Sequence, residues 1–325
     1  MEANIGKTKK RNKCNMSTKA KMMYIAMKYR HLFKGQLHPE VINENTSVEK
    51  LRQNCDDTAL RFFKPMEGIS YIPADYSELY AEWIKVENAP EVKVVMYFHG
   101  GGFVMGNALS HRNIVSNFVK HLGINALVFN YRLAPENPSP AAVYDSTAIY
   151  NWLLTQGYEP NNIVFAGDSA GGGIAMATLL KCKDDGIPLP AVCALFSPCT
   201  DMTISGESHQ TKAKADPCTP KGSTETYLGY YIGNGDPRHP YTSPLFGDLT
   251  GLPPIIIQVG NNETLRDDST RFAKKAKESG VEVRLKVWKG MFHCFPLLAP
   301  MFPEASEALA EVCQFIWNHL KDQIQ

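Results

Sequence analysis

The chain of 325 residues is 44% hydrophobic and 21% charged, which gives it enough apolar mass for a large core and excludes a disordered protein. Its 34 Lys and Arg stand against 33 Asp and Glu, so no net field directs it to nucleic acid, and a small-molecule partner is expected. Eight scattered cysteines without a CxxC pair exclude a zinc ribbon and a tight disulfide framework and fit a reducing, cytoplasmic setting; neither a metal nor a cofactor is expected.

The chain begins with a basic arm in which Lys7, Lys9, Lys10, Arg11, Lys13, Lys19 and Lys21 are followed by no apolar run of the kind a secretory signal needs. This arm reads as a solvated tail, with an anchor on an anionic surface as the alternative. No later run is long and apolar enough to span a membrane. Met22 to Lys34 follows helical spacing, and "SVEKLRQNCDDTALRFF" predicts a second helix with Ser47 as its N-cap.

From Ser70 the pattern changes. "YIPAD" and "YAEWIKVEN" read as edge strands, and six apolar runs follow: Val92 to Phe98, Ala126 to Asn130, Asn162 to Gly167, Ala191 to Ser197, Pro254 to Gly260 and Val281 to Trp288. Helices are predicted between them at about 110–122, 141–155, 170–183 and 266–279, with a last one at about 303–321. That alternation predicts an α/β architecture, a mostly parallel eight-stranded sheet with helices on both faces and ligands beyond the carboxyl ends of the strands. Residues 201–252 break the rhythm: about fifty positions rich in Gly, Pro, Asp and Thr hold one helical pattern, at 223–232, and a stretch that long without strands is expected to serve the site.

The chemistry concentrates at four places. Gly167, Ser169 and Gly171 form G-x-S-x-G directly after an apolar run and at the start of a helix, where a sharply turned nucleophilic serine belongs and only small neighbours fit. A phosphate loop fails on residues, because Gly173 stands where a lysine is needed and no G-x-G-x-x-G occurs. "HGGG", His99 to Gly102, also follows an apolar run, and its bare backbone suits an oxyanion hole built from the N–H groups of Gly101, Gly102 and Ala170. His99, Gly100, Gly167, Asp168 and Gly171 are assigned structural parts of these turns.

The base has to follow the last strand and precede the last helix, and His293 in "KGMFHCF" meets that condition. For the acid, "NNETLRDD" offers Glu263, Asp267 and Asp268. Glu263 is chosen as nearest the strand end, with Asp267 its main rival, since Asp267 and Asp268 open a helix where carboxylates are at home.

Together "HGGGFVMG", "NYRLAPENPSPAAVYD", "GDSAGGG", "TSPLFGDLTGLPPIIIQVGNNETLRDD" and "GMFHCF", spread from about Val94 to Phe295, resemble the hormone-sensitive-lipase family of α/β hydrolases, in its GDSAG esterase branch of the bacterial family IV type. Members of that family more often carry Asp at the position of Glu263. The resemblance implies an α/β-hydrolase fold with a helical cap, made here by a tail and cap helices in residues 1–50 and by a segment at about 201–250 inserted in a catalytic domain of residues 51–325. It implies a serine carboxylesterase acting on short-chain acyl esters through an acyl-enzyme, and a possible homodimer. An amide or lactone hydrolase with the same three residues is the alternative, and a noncatalytic receptor is disfavoured by the presence of His293.

Overall fold

The computed structural model describes residues 16–33 and 35–320, so the basic residues Lys7 to Lys13 lie outside the described residues. Among the described residues eight strands form one sheet: β1 (Ile69–Pro73), β2 (Ala81–Val86), β3 (Val94–Phe98), β4 (Asn125–Phe129), β5 (Ile163–Asp168), β6 (Val192–Phe196), β7 (Ile255–Gly260) and β8 (Val283–Trp288). Their order is β1-β2-β4-β3-β5-β6-β7-β8, antiparallel at β1·β2 and β2·β4 and parallel from β4 to β8. Strands β3 to β7 are buried along their whole length, as continuous apolar runs covered on both faces must be.

Ten helices accompany them among the described residues: α1 (Thr18–Lys28), α2 (Arg30–Phe33), α3 (Val48–Phe62), α4 (Ala108–Leu122), α5 (Ala141–Thr155), α6 (Ser169–Asp184), α7 (Ser208–Thr211), α8 (Ser223–Ile232), α9 (Arg266–Glu278) and α10 (Pro303–Leu320). Ile149 and Tyr150 of α5, Ile174 and Leu179 of α6 and Phe272 of α9 pack on one face of the sheet. Val115 and Phe118 of α4, Val312 and Ile316 of α10 and Ala20 of α1 pack on the other. Helix α4 shows how local sequence sets an end: Asn107 accepts from the Ser110 N–H at 2.7 Å while Ser110 Oγ accepts from the Asn107 N–H at 2.9 Å, and Gly123 closes the helix at φ 72°.

Two expectations are corrected. Strand β2 is not at the edge, since β4 pairs with its far side; its one acidic residue, Glu82, is 1% exposed and is held by Arg112 (Nε to Oε2, 2.6 Å) and the Tyr80 hydroxyl at 2.9 Å. An ion pair therefore lets an interior strand carry a charged residue. The first helix starts at Thr18 rather than Met22, because Ser17 caps it through the Ala20 N–H at 3.2 Å, and it stops at Tyr29, with a separate turn of helix α2 following.

The 201–252 interval is ordered by charges buried beneath it. Both Thr200 and Asp201 donate their N–H groups to Asp268, at 2.9 and 3.0 Å, and Asp268 also meets the ring of His209 at 2.9 Å. The N-terminal segment joins the same interval, through the Ile42 N–H to Lys221 carbonyl bond at 2.9 Å and the Tyr24 hydroxyl on the Ala215 carbonyl at 2.8 Å.

Candidate active site

Ser169 occupies the turn from β5 into α6 with φ 53°, a left-handed backbone that a non-glycine residue adopts only when its surroundings enforce it. The enforcement is close packing: a Cβ on Gly171 would fall 2.1 Å from the Phe98 carbonyl oxygen and 2.3 Å from that of His99. The first turn of α6 thus lies flush on the end of β3, which aims the serine hydroxyl beyond the strand ends.

His293 follows β8 and places Nε2 2.9 Å from Ser169 Oγ, while its Nδ1 lies 2.8 Å from Glu263 Oε2. The carboxylate fixes the tautomer, so Nδ1–H donates to Glu263 and Nε2 is free to accept the serine proton. Glu263 is fully buried, and burial raises its pKa. Its other oxygen, Oε1, accepts from the Ser197 hydroxyl at 3.0 Å and from the Gly260 N–H. Ser197 in turn accepts from the Cys294 N–H at 3.0 Å, so one hydroxyl ties the acid to the loop that carries His293. Asp267, the rival acid, is engaged elsewhere, by the Ser208 N–H at 2.8 Å and Arg266 Nε at 2.9 Å.

Burial opposes an imidazolium at His293, but Cys294 and the Glu263 carboxylate beside the ring outweigh it and hold its pKa well above the ordinary histidine value. Burial pushes the Cys294 thiol itself up to about 11, so at neutral pH it is uncharged and the electrostatic part falls to Glu263. A base must be neutral to accept a proton. The value of kcat/KM is therefore expected to rise with pH through an inflection above the ~6.5 of free imidazole. A pH profile with its acid limb below that value contradicts this electrostatic assignment.

The HGGG turn lies against the same cavity. Gly101 and Gly102 take φ 128° and 61°, and Cβ atoms there would collide with the Met105 carbonyl oxygen (2.0 Å) and the Tyr227 ring (2.6 Å). No protein acceptor meets the N–H of Gly101, Gly102 or Ala170 among the described residues, as befits donors kept for a ligand. Gly100 is gripped from behind, its N–H donating to Asp168 Oδ1 at 3.1 Å. The Tyr97 hydroxyl donates to the same oxygen at 2.9 Å, and His111 Nε2 lies 3.6 Å from it. His99 stacks on Tyr131 with ring centroids 4.1 Å apart, and burial drives its pKa down to about 3, so it is a neutral plate rather than a proton carrier.

The structure thus brings Ser169, His293, Gly101, Gly102 and Ala170 to one cavity of about 600 Å³, with Glu263 behind it. Sequence reasoning missed Ser197, Tyr97 and His111. His111 ends the run "HGGGFVMGNALSH" and was in plain view; Ser197 offered no signal, because its role comes from β6 lying beside β7.

The chain is similar to known proteins along most of its length. The pattern of the α/β-hydrolase fold family matches residues 95–297. An acetyl-hydrolase of Streptomyces hygroscopicus is 38% identical over 236 residues, 73% of this chain and 79% of its own. An esterase of Acinetobacter venetianus is 34% identical over 80% of this chain and 86% of its own. Among solved structures, EstE5 soaked with p-nitrophenyl butyrate superposes with a TM-score of 0.85 at 35% identity, covering 94% of this chain and 100% of its own. An esterase from the bacterial hormone-sensitive lipase family gives 0.86 at 35%, covering 94% and 99%.

Proposed function

The chain belongs to the hormone-sensitive-lipase-like family of α/β hydrolases and is a carboxylic ester hydrolase, and we propose that it cleaves short-chain acyl esters through an acyl-enzyme on Ser169. The observation that carries this reading is the continuous relay from Glu263 through His293 to Ser169, 2.8 and 2.9 Å long, on the wall of a 600 Å³ cavity. Ser169 Oγ attacks the ester carbonyl carbon as His293 Nε2 takes its proton, and the new oxyanion is met by the N–H groups of Gly101, Gly102 and Ala170. Collapse breaks the bond to the alcohol oxygen, which leaves with the proton from His293. A water then repeats the attack on the acyl carbon, freeing the acid and restoring Ser169. Glu263 keeps the ring in register and compensates the imidazolium in both halves.

Residues 16–50 and 201–250 form the cap of this enzyme, a division supported by their joining at Ile42 and Lys221. No helix among the described residues is long and apolar enough to cross a membrane, and a cytoplasmic site of action is proposed. The cavity is within the range of small-molecule sites and large enough for a butyryl ester of an aromatic or small alcohol. The p-nitrophenyl butyrate soaked into EstE5 is an ester of that size and points the same way. In a panel of acyl esters, lactones and aryl amides, turnover is expected to be highest on acetyl to butyryl esters and to fall with longer chains. Turnover that rises steadily to long-chain triglycerides, or that is confined to amides or lactones, contradicts this assignment.

A further inference from the structure

The N-terminal cap carries an outer surface that the hydrolytic site does not use. Helix α1 turns Met23, Tyr24 and Met27 inward, and Met27 lines the cavity. Its opposite face exposes Met22 and Ile25, 65% and 55% accessible, and Tyr29 beyond its end, flanked by Lys19 on one side and by Lys21 and Lys28 on the other. The apolar exposure continues through Leu32, Phe33 at 81% and Leu37 at 85%. Apolar side chains clustered this way on the outside of a protein mark a surface that meets something.

The charge around them has one sign. From Ala3 to Pro39 the sequence contains ten Lys and Arg and no Asp or Glu, whereas the rest of the chain holds 24 Lys and Arg against 33 Asp and Glu. Beside the exposed stripe is a cleft of about 280 Å³ lined by Lys28, Arg30, Lys214 and Lys221. Of its two acids, Asp216 is already engaged by the N–H groups of Cys218 and Thr264, at 2.8 and 2.9 Å. The cleft adjoins the hydrolytic cavity, both being lined by Glu40, Thr219 and Pro220.

We propose that this face of the cap docks on an anionic lipid surface, with Met22, Ile25, Leu32, Phe33 and Leu37 entering the headgroup boundary and the cleft taking a lipid phosphate or carboxylate. An apolar stripe flanked by lysines is the pattern of a helix lying in an interface plane, and two weak signals, apolar and basic, act together there. A second copy of the chain paired through this same face fits less well, because it would set two all-basic segments against each other. Docking places the cavity beside ester-bearing amphiphiles; to that extent the inference rests on the esterase assignment, though the binding does not.

The test is flotation of the full chain with vesicles of phosphatidylcholine alone or with phosphatidylserine at roughly a third of the lipid. Binding is expected to the anionic vesicles, at least about tenfold weaker to the neutral ones, and falling as salt approaches ~1 M. Phe33→Ser with Leu37→Ser, and separately Lys19→Glu with Lys21→Glu, are each expected to weaken it about tenfold while turnover of soluble p-nitrophenyl acetate is unchanged. Equal affinity for both vesicles, no flotation at low salt, or dimers that form through this face in place of vesicle binding overturns the proposal. Ser169→Ala separates the two claims, since it is expected to bind vesicles like the parent whatever happens to turnover.

Discussion

Ser169→Ala is expected to lower kcat on p-nitrophenyl butyrate by about 10⁴ to 10⁶, leaving only what the oxyanion donors and binding supply. The fold should hold, because alanine is smaller than serine and suffers the same φ of 53° that the turn already imposes. Circular dichroism and the thermal midpoint check that. One nearby group could imitate the lost nucleophile: Cys294 Sγ lies 3.4 Å from His293 Nε2. Its thiol, pushed up to about 11, is almost wholly protonated at neutral pH, and it also faces the Phe196 carbonyl at 3.5 Å. Adding Cys294→Ala to Ser169→Ala is therefore expected to change nothing further.

The second large effect is expected at Glu263. Replacing it with Gln keeps the side-chain volume and lets one oxygen still accept from Ser197 and Gly260, but the charge facing His293 is lost. An amide can also turn its NH2 toward the ring and favour the wrong tautomer, the failure that costs about 10⁴ in the serine-protease triad. A loss of ~10³ to 10⁴ in kcat, with KM little changed, is expected here. Asp267→Asn, which touches Ser208 and Arg266 rather than the histidine, is expected to cost less than about tenfold. Steady-state kinetics on both variants decides between the two acids, and the opposite ranking transfers the role to Asp267.

The fold was legible because strands β3 to β7 are largely apolar runs, and because glycine clusters at 100–102 and 171–173 mark places of close approach. His293 could be picked out by its place after the last strand. Glu263 was chosen over Asp267 only by its nearness to the end of β7, a weaker ground, since chain distance does not fix which carboxylate faces the ring. What stayed hidden depends on partners far apart in the chain. The interior place of β2 was not readable because Arg112, which neutralises its buried Glu82, is thirty positions away. Asp168 was assigned a structural part, but its partners were not readable, because Tyr97 and Gly100, which it holds, belong to another strand and its following turn. The exposed apolar stripe on α1 was masked by its inward partners, as both sides of that helix carry methionine.

The central claim is that Ser169 becomes acylated, and the most direct measurement traps that state. A dialkyl p-nitrophenyl phosphate mimics the tetrahedral intermediate, and attack by Ser169 releases p-nitrophenolate and leaves the phosphoryl group on Oγ. Intact mass and peptide mapping are predicted to show one adduct per chain, on the peptide bearing Ser169, with activity lost in proportion and no adduct on Ser169→Ala. Full inactivation with the adduct on another residue, or equal labelling of Ser169→Ala, contradicts the account.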